Sequence, residues 1–99
     1  MKSNIFLFLT SALILSSCGK KPTSDFTWSP NQPKAGQAVS FSNKSIDAKK
    51  YDWNLGNMKI SSDKDPQNVY DAAGNYIVDL TAHNGVKSYT KTYTITVTP

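Results

Sequence analysis

From Asp25 onward, apolar and polar residues alternate in short runs separated by turn residues, the pattern of half-buried strands and not of helices. Phe26 and Trp28 alternate with Asp25 and Thr27 until Ser29, Pro30 and Pro33 interrupt. Val39 and Phe41 follow, set against Ser40 and Ser42. Tyr51, Trp53 and Leu55 alternate with Asp52 and Asn54, after which Gly56-Asn57 turns the chain. Residues 58–61 read as a weak edge strand, leading to a loop with Asp63, Asp65 and Pro66 and then the short run Val69-Tyr70. The turn Ala73-Gly74-Asn75 opens a longer run, with Tyr76, Val78, Leu80 and Ala82 on one face and Ile77, Asp79, Thr81 and His83 on the other. Asn84-Gly85 is the strongest hairpin dipeptide in the sequence. The last run, 88–97, sets Tyr89, Lys91, Tyr93, Ile95 and Val97 against threonines at every even position from Thr90 to Thr98.

Seven such runs without a helical stripe predict an all-β fold, an immunoglobulin-like antiparallel β-sandwich of about seven strands. The expected core is Phe26, Val39, Phe41, Tyr51, Trp53, Tyr76, Val78, Leu80, Ile95 and Val97, with Trp53 at its centre. Tyr76, two residues before an inward Val78, occupies the place of a tyrosine corner, so its hydroxyl is expected to bond backbone near the preceding turn.

The N-terminus follows a different rule. Lys2 gives a positive start, and residues 5–15 are apolar except for Thr10 and Ser11. That run is too short for a membrane-spanning helix of about 20 residues and reads as the core of a signal peptide, 1–17. Leu15-Ser16-Ser17-Cys18 resembles the lipobox of bacterial lipoproteins. The resemblance implies cleavage before Cys18, a lipid on the Cys18 thiol and anchoring at the cell envelope. Gly19 in place of an aspartate favours the outer membrane if the cell has one. Residues 18–24 are then the lipidated cysteine and a polar linker, with the domain at 25–99. An extended 19–24 segment reaches roughly 20 Å. Lys20 and Lys21 in it suit either attraction to anionic head groups or simple solubility.

Composition narrows the function. All eleven cations are lysine and all seven acids aspartate, for a net charge of +4. Without arginine the bidentate guanine contacts of nucleic-acid readout are missing, so nucleic acid is not an expected partner. Cys18 is the only cysteine, which leaves packing alone to hold the domain. His83 is the only histidine, and no serine lies in a nucleophile motif, so no enzyme, cofactor or metal site is expected. Asp63 and Asp65 share a loop that suits a calcium ion or a solvated turn, without the spacing of an EF-hand. The threonines of the last run, with Lys87 and Lys91, form either a flat polar surface for a glycan or protein strand or simply the wet face of a sheet.

Three stretches together resemble the PKD domain, the immunoglobulin-like module named after polycystic kidney disease. They are residues 33–45, the segment Tyr51-Asp52-Trp53-Asn54-Leu55-Gly56-Asn57 beside the family signature YxWDFGDG, and Pro66 with Val69-Tyr70 and residues 74–84. Trp53, Gly56, Gly74 and Tyr76 are its signature and core positions here. Asn54 and Asn57 replace aspartates, Leu55 a phenylalanine and Met58 a glycine. The resemblance implies protein–protein or protein–carbohydrate binding at the envelope. The alternative is a structural subunit that tethers a larger envelope complex and recognises no free ligand.

Overall fold

The computed structural model of the chain describes residues 20–99. The expected signal peptide and Cys18 lie outside the described residues. Seven strands follow in order: β1 (Phe26–Ser29), β2 (Ala38–Asn43), β3 (Lys50–Asn54), β4 (Ile60–Ser61), β5 (Gln67–Val69), β6 (Gly74–Asn84) and β7 (Lys87–Val97). They form two antiparallel sheets, β1-β2-β5 and β4-β3-β6-β7. The expected all-β sandwich is the observed fold.

Alternation explains most of the core. In β2 only Val39 and Phe41 point inward, and in β6 Val78, Leu80 and Ala82 are buried every second residue. In an unbridged domain the aromatics fasten the sheets together: the Phe26 ring lies 5.0 Å from Trp53, 6.2 Å from Phe41 and 5.0 Å from Tyr93, all near edge-on. Such pairs add about 0.5–1.5 kcal/mol each beyond area burial. Trp53 is central as expected, pairing with Leu80 across the sheet and donating its indole N–H to the Asp63 carbonyl at 2.9 Å.

Two expected core members are only half-buried, Tyr51 and Tyr76, while Leu55 and Tyr70 are buried in their stead. The reason lies in β5, whose polarity is inverted: Asn68 is buried and Val69 is exposed. That parity turns the next residue, Tyr70, inward, where its hydroxyl donates to the Leu55 carbonyl at 2.7 Å and draws Leu55 under the sheet.

The segment expected to be a linker is, from Lys20, part of the domain. Pro22 and Ser24 are buried, and Thr23 exchanges backbone hydrogen bonds with Ile46. The Ser24 hydroxyl donates to the Leu80 carbonyl, and the Asn84 side chain to the Lys20 carbonyl at 3.0 Å. This arm covers inner-face positions of β6 that the shorter strands of the first sheet leave open.

The β6–β7 turn also differs in detail from a simple Asn-Gly hairpin. Asn84 pairs with Lys87, so the two central residues are Gly85 and Val86, with φ +65° at Gly85 only. Glycine at the first central position is the requirement of a type II′ turn, and Asn84 is freed to bind the arm.

Candidate functional site

Strand pairing lays the outer face of the four-stranded sheet out in rows. One row runs Ile60, Asn54, Asp79, Thr92; the next Asp52, Thr81, Thr90; the next Lys50, His83, Ser88. The side chains bond one another along and across these rows. Thr92 donates to Asp79 at 2.6 Å, the Thr81 and Thr90 hydroxyls lie 2.8 Å apart, and His83 Nε2 meets Asp52 Oδ2 at 2.7 Å. Thr96 donates to Asn75 at 2.9 Å further along. Over the middle of this array sits a shallow depression of about 750 Å³, bordered by Ile60 and Ser61 of the edge strand. Hydroxyls, amides and two carboxylates thus face solvent in fixed orientations, with one apolar side chain at the rim.

The threonine face expected from the sequence is present, but Lys87 and Lys91 do not belong to it. Their odd positions put them on the other face of β7, where Lys91 is half-buried with its ammonium 5.2 Å from the Tyr93 ring centre. Asp52, Asn54 and Asp79 were not singled out for this face by reading the sequence. The register of β3 against β6 sets Asp52 opposite Thr81 and Asn54 opposite Asp79, and that of β6 against β7 sets Asp79 opposite Thr92.

The signature residues serve the fold around this site. Gly56 has φ +87°, and a Cβ there would stand 2.6 Å from the Ile77 carbonyl oxygen, so both conformation and space demand glycine. Gly74 opens β6 opposite Val97. Tyr76 makes the expected corner, its hydroxyl donating to the Ala72 carbonyl at 2.7 Å while its ring packs 4.6 Å from Tyr70.

The departures from the family signature have local reasons. Asn57 accepts from Asn68 Nδ2 at 2.9 Å and donates through its own Nδ2 to the Val69 carbonyl at 3.2 Å. An aspartate accepts but cannot donate, so the amide suits this turn. Asn54 Oδ1 accepts from the Gly56 N–H at 3.2 Å, a turn bond an aspartate could also make. Met58 takes φ +68°, the left-handed conformation for which the family's glycine is suited, and is 99% exposed.

Asp63 and Asp65 brace their own loop. The Asp65 carboxylate accepts from the Asn43 N–H at 2.8 Å, and the Asp63 carbonyl accepts from Trp53. Among the described residues no group of three or more His, Cys, Asp or Glu stands together as a metal ligand set. One acid is electrostatically tuned elsewhere. The Tyr93 hydroxyl donates to Asp25 at 2.7 Å, which holds the Asp25 carboxyl below its ordinary value and pushes the Tyr93 phenol above its own. Burial likewise raises the Tyr70 phenol.

The PKD domain family matches residues 19–98, nearly all of the described chain. The chain belongs to the PKD domain family. The PKD1 domain of Vibrio anguillarum Epp superposes with a TM-score of 0.70 at 30% identity, over 81% of this chain and 96% of that one. The PKD1 domain of the Vibrio cholerae metalloprotease PrtV gives 0.69 at 29%, over 81% and 100%. A structure solved for the promiscuous specificity of carbohydrate-binding modules of the β-sandwich superfamily gives 0.76 at 29%, over 80% of this chain. This PKD domain spans about a third, 35%, of that longer protein. No curated protein sequence matches the chain. PKD domains are non-catalytic binding or structural modules.

Proposed function

We propose that the protein is a lipid-anchored envelope lipoprotein whose PKD domain binds a protein or a glycan through the outer face of its four-stranded sheet. The observation that carries this reading is an open depression lined by Asp52, Asp79, Thr81 and Thr90, in which the two threonines bond each other and the two carboxylates are held by His83 and Thr92. Such groups are ordered before a partner arrives, so little side-chain entropy is lost on binding. Asp79 keeps one carboxylate oxygen beyond its bond from Thr92, an acceptor for a sugar hydroxyl or a backbone N–H. The lipobox-like sequence ending at Cys18 supports the anchor, and Gly19 after it favours an outer membrane.

A second reading, a tethering subunit without a free ligand, draws support from the aromatics. Phe26, Trp28, Trp53 and Tyr93 pack with one another on the inner side, and of these only Trp53 borders the depression, where it is 2% exposed and offers no open ring face on which a sugar would stack. Two measurements on protein isolated from its native membranes test the pair. Intact mass beginning at an acylated Cys18, abolished in Cys18→Ala, supports the anchor, and an unmodified mass refutes it. Glycan-array binding lost in Asp79→Ala supports a glycan; a single cross-linked protein partner lost in the same variant supports a protein. Binding untouched by Asp79→Ala removes this face from consideration.

A further inference from the structure

Three of the four edge strands are blunt. β1, β4 and β5 have four, two and three residues, too little open backbone to template another strand. β7 is different. It runs eleven residues without proline or glycine, and among the described residues its only strand neighbour is β6.

The residue after β7 shows which of its backbone groups face outward. The Thr98 N–H donates to the Pro33 carbonyl at 2.9 Å and the Thr98 carbonyl accepts from the Ala35 N–H at 2.8 Å, so Thr98 faces away from β6. Backbone direction alternates along an antiparallel strand. Ser88, Thr90, Thr92, Thr94 and Thr96 therefore present N–H and C=O to the same open side, and among the described residues no backbone bond from outside the β6–β7 ladder reaches them. Between segment 33–35 at one end and the β6–β7 turn at the other lies a bare edge of five hydrogen-bonding residues, all hydroxylated.

Side chains decide what this edge can pair with. Lys91 points to the inner side of β7, half-buried against the Tyr93 ring, and an inward cation deters a chance apolar strand. A second copy of the same strip is matched to it. The midpoint of residues 88–96 is Thr92, and a two-fold axis there uses the whole strip, pairing Thr92 with Thr92, Thr90 with Thr94 and Ser88 with Thr96. The same axis sets Lys91 of each copy opposite Tyr93 of the other. The Tyr93 hydroxyl is bonded to Asp25 at 2.7 Å, so each ammonium meets a ring backed by a carboxylate. Moving the axis one residue either way sets Lys91 against Lys91 or against Ile95.

We propose that the protein self-associates through β7, two chains pairing antiparallel about an axis at Thr92 into one continuous eight-stranded sheet. The contact is isologous and closes on itself. It stands without the lipid anchor and goes beyond the sheet-face reading. The axis is perpendicular to the sheet, so both depressions open on the same side and offer a repetitive partner two sites at once.

The test uses the full chain with Cys18→Ser, in which Thr92→Cys supplies the only thiol. At the axis the two Cα atoms stand about 5.5 Å apart, within disulfide range, and mild oxidation is expected to give a cross-linked dimer. Thr96→Cys lies on the same edge, but its two copies are roughly 27 Å apart at about 3.4 Å per residue and should stay uncrosslinked. Met58→Cys, 99% exposed elsewhere, measures chance collision and should also stay uncrosslinked. In sedimentation equilibrium with density-matched detergent, the Cys18→Ser chain should rise in mass with concentration from one chain toward two. Thr94→Pro removes an outward N–H and no bond to β6, and two such losses per dimer should raise the dissociation constant about tenfold. Lys91→Glu should weaken the dimer through charge, which keeps the test open if the proline variant fails to fold, and melting curves establish which variants are folded. Equal cross-linking at Thr92→Cys and Met58→Cys, a dimer formed by Thr96→Cys alone, association untouched by the folded variants, or a monomer at every concentration overturns the proposal. Binding through Asp79 is measured separately, so either idea can fail alone.

Discussion

The two faces of the four-stranded sheet are made by the same strands and do opposite work. On the inner face Trp53, Val78, Leu80 and Ile95 are buried and packed against the other sheet. One residue along each strand, Asp52, Asp79, Thr81 and Thr94 stand on the outer face, the first three bonded to neighbouring side chains. Free energy of folding is concentrated in the first set, because apolar burial scales with area while exposed polar bonds merely exchange with water. The outer set is therefore free to be chosen for binding, and substitutions should separate the faces sharply.

The largest effect is expected from Trp53→Ala, which removes the central ring and the Asp63 hydrogen bond and should cost about 3–5 kcal/mol in urea unfolding. A loss under about 1 kcal/mol would mean that the inner face does not centre on Trp53. Gly56→Ala comes next, at about 3 kcal/mol, combining a left-handed backbone with a Cβ driven against the Ile77 carbonyl. Thermal melts would expose a milder outcome, which would require the β3–β4 turn to shift away from β6. Tyr76→Phe keeps the ring contact with Tyr70 and deletes only the bond to Ala72, so about 1 kcal/mol is expected, and an unchanged melting temperature would remove the corner from the stabilising set.

At the bottom of the scale, Thr81→Val with Thr90→Val replaces a mutually bonded exposed pair by apolar groups of the same shape. Stability should move by less than about 0.5 kcal/mol. A larger loss would show that the outer face contributes to folding after all. The Asp25–Tyr93 bond offers a comparison in pH instead of sequence. Asp25 is lowered, so its contribution is complete above its ordinary value of 3.8 and is lost as pH falls through the depressed one. Tyr93 is raised, so its contribution is complete below its ordinary value of 10.0 and is lost as pH climbs through the elevated one. Tyr93→Phe should therefore differ most from the parent protein between about pH 4 and pH 10 and converge with it beyond both limits. A constant difference across that range would indicate that ring packing, not the bond, matters at this position.

Much of this was legible in the residues. Two-residue alternation placed Val39, Phe41, Val78, Leu80, Ile95 and Val97 inside because a pleated strand sends neighbours to opposite faces whatever else is nearby. The motif around Trp53 and Gly56 placed the family, and Tyr76 before Val78 placed the corner. Short runs misled where parity had no long pattern to fix it. Val69-Tyr70 allowed either residue inside, and Asn68 and Tyr70 are buried because Asn57 and Leu55 supply hydrogen-bond partners that only the folded turn provides. The arm from Lys20 looked like a linker because its residues are polar and short of apolar pattern. Its bonds to Ile46, Leu80 and Asn84 span 23 to 64 residues and leave no local trace.

By itself, then, the sequence determined the strands, their inward faces and the kind of sandwich they make, since those depend on near-neighbour periodicity and turn chemistry. Register and long-range pairing decided the rest. They gathered Asp52, Asp79, Thr81 and Thr90 into one depression, sent Lys87 and Lys91 to the opposite face of β7, and fixed Lys20 beside the β6–β7 turn. Contacts between residues far apart in sequence exist only once two sheets have packed, so the site and its orientation belong to the tertiary structure.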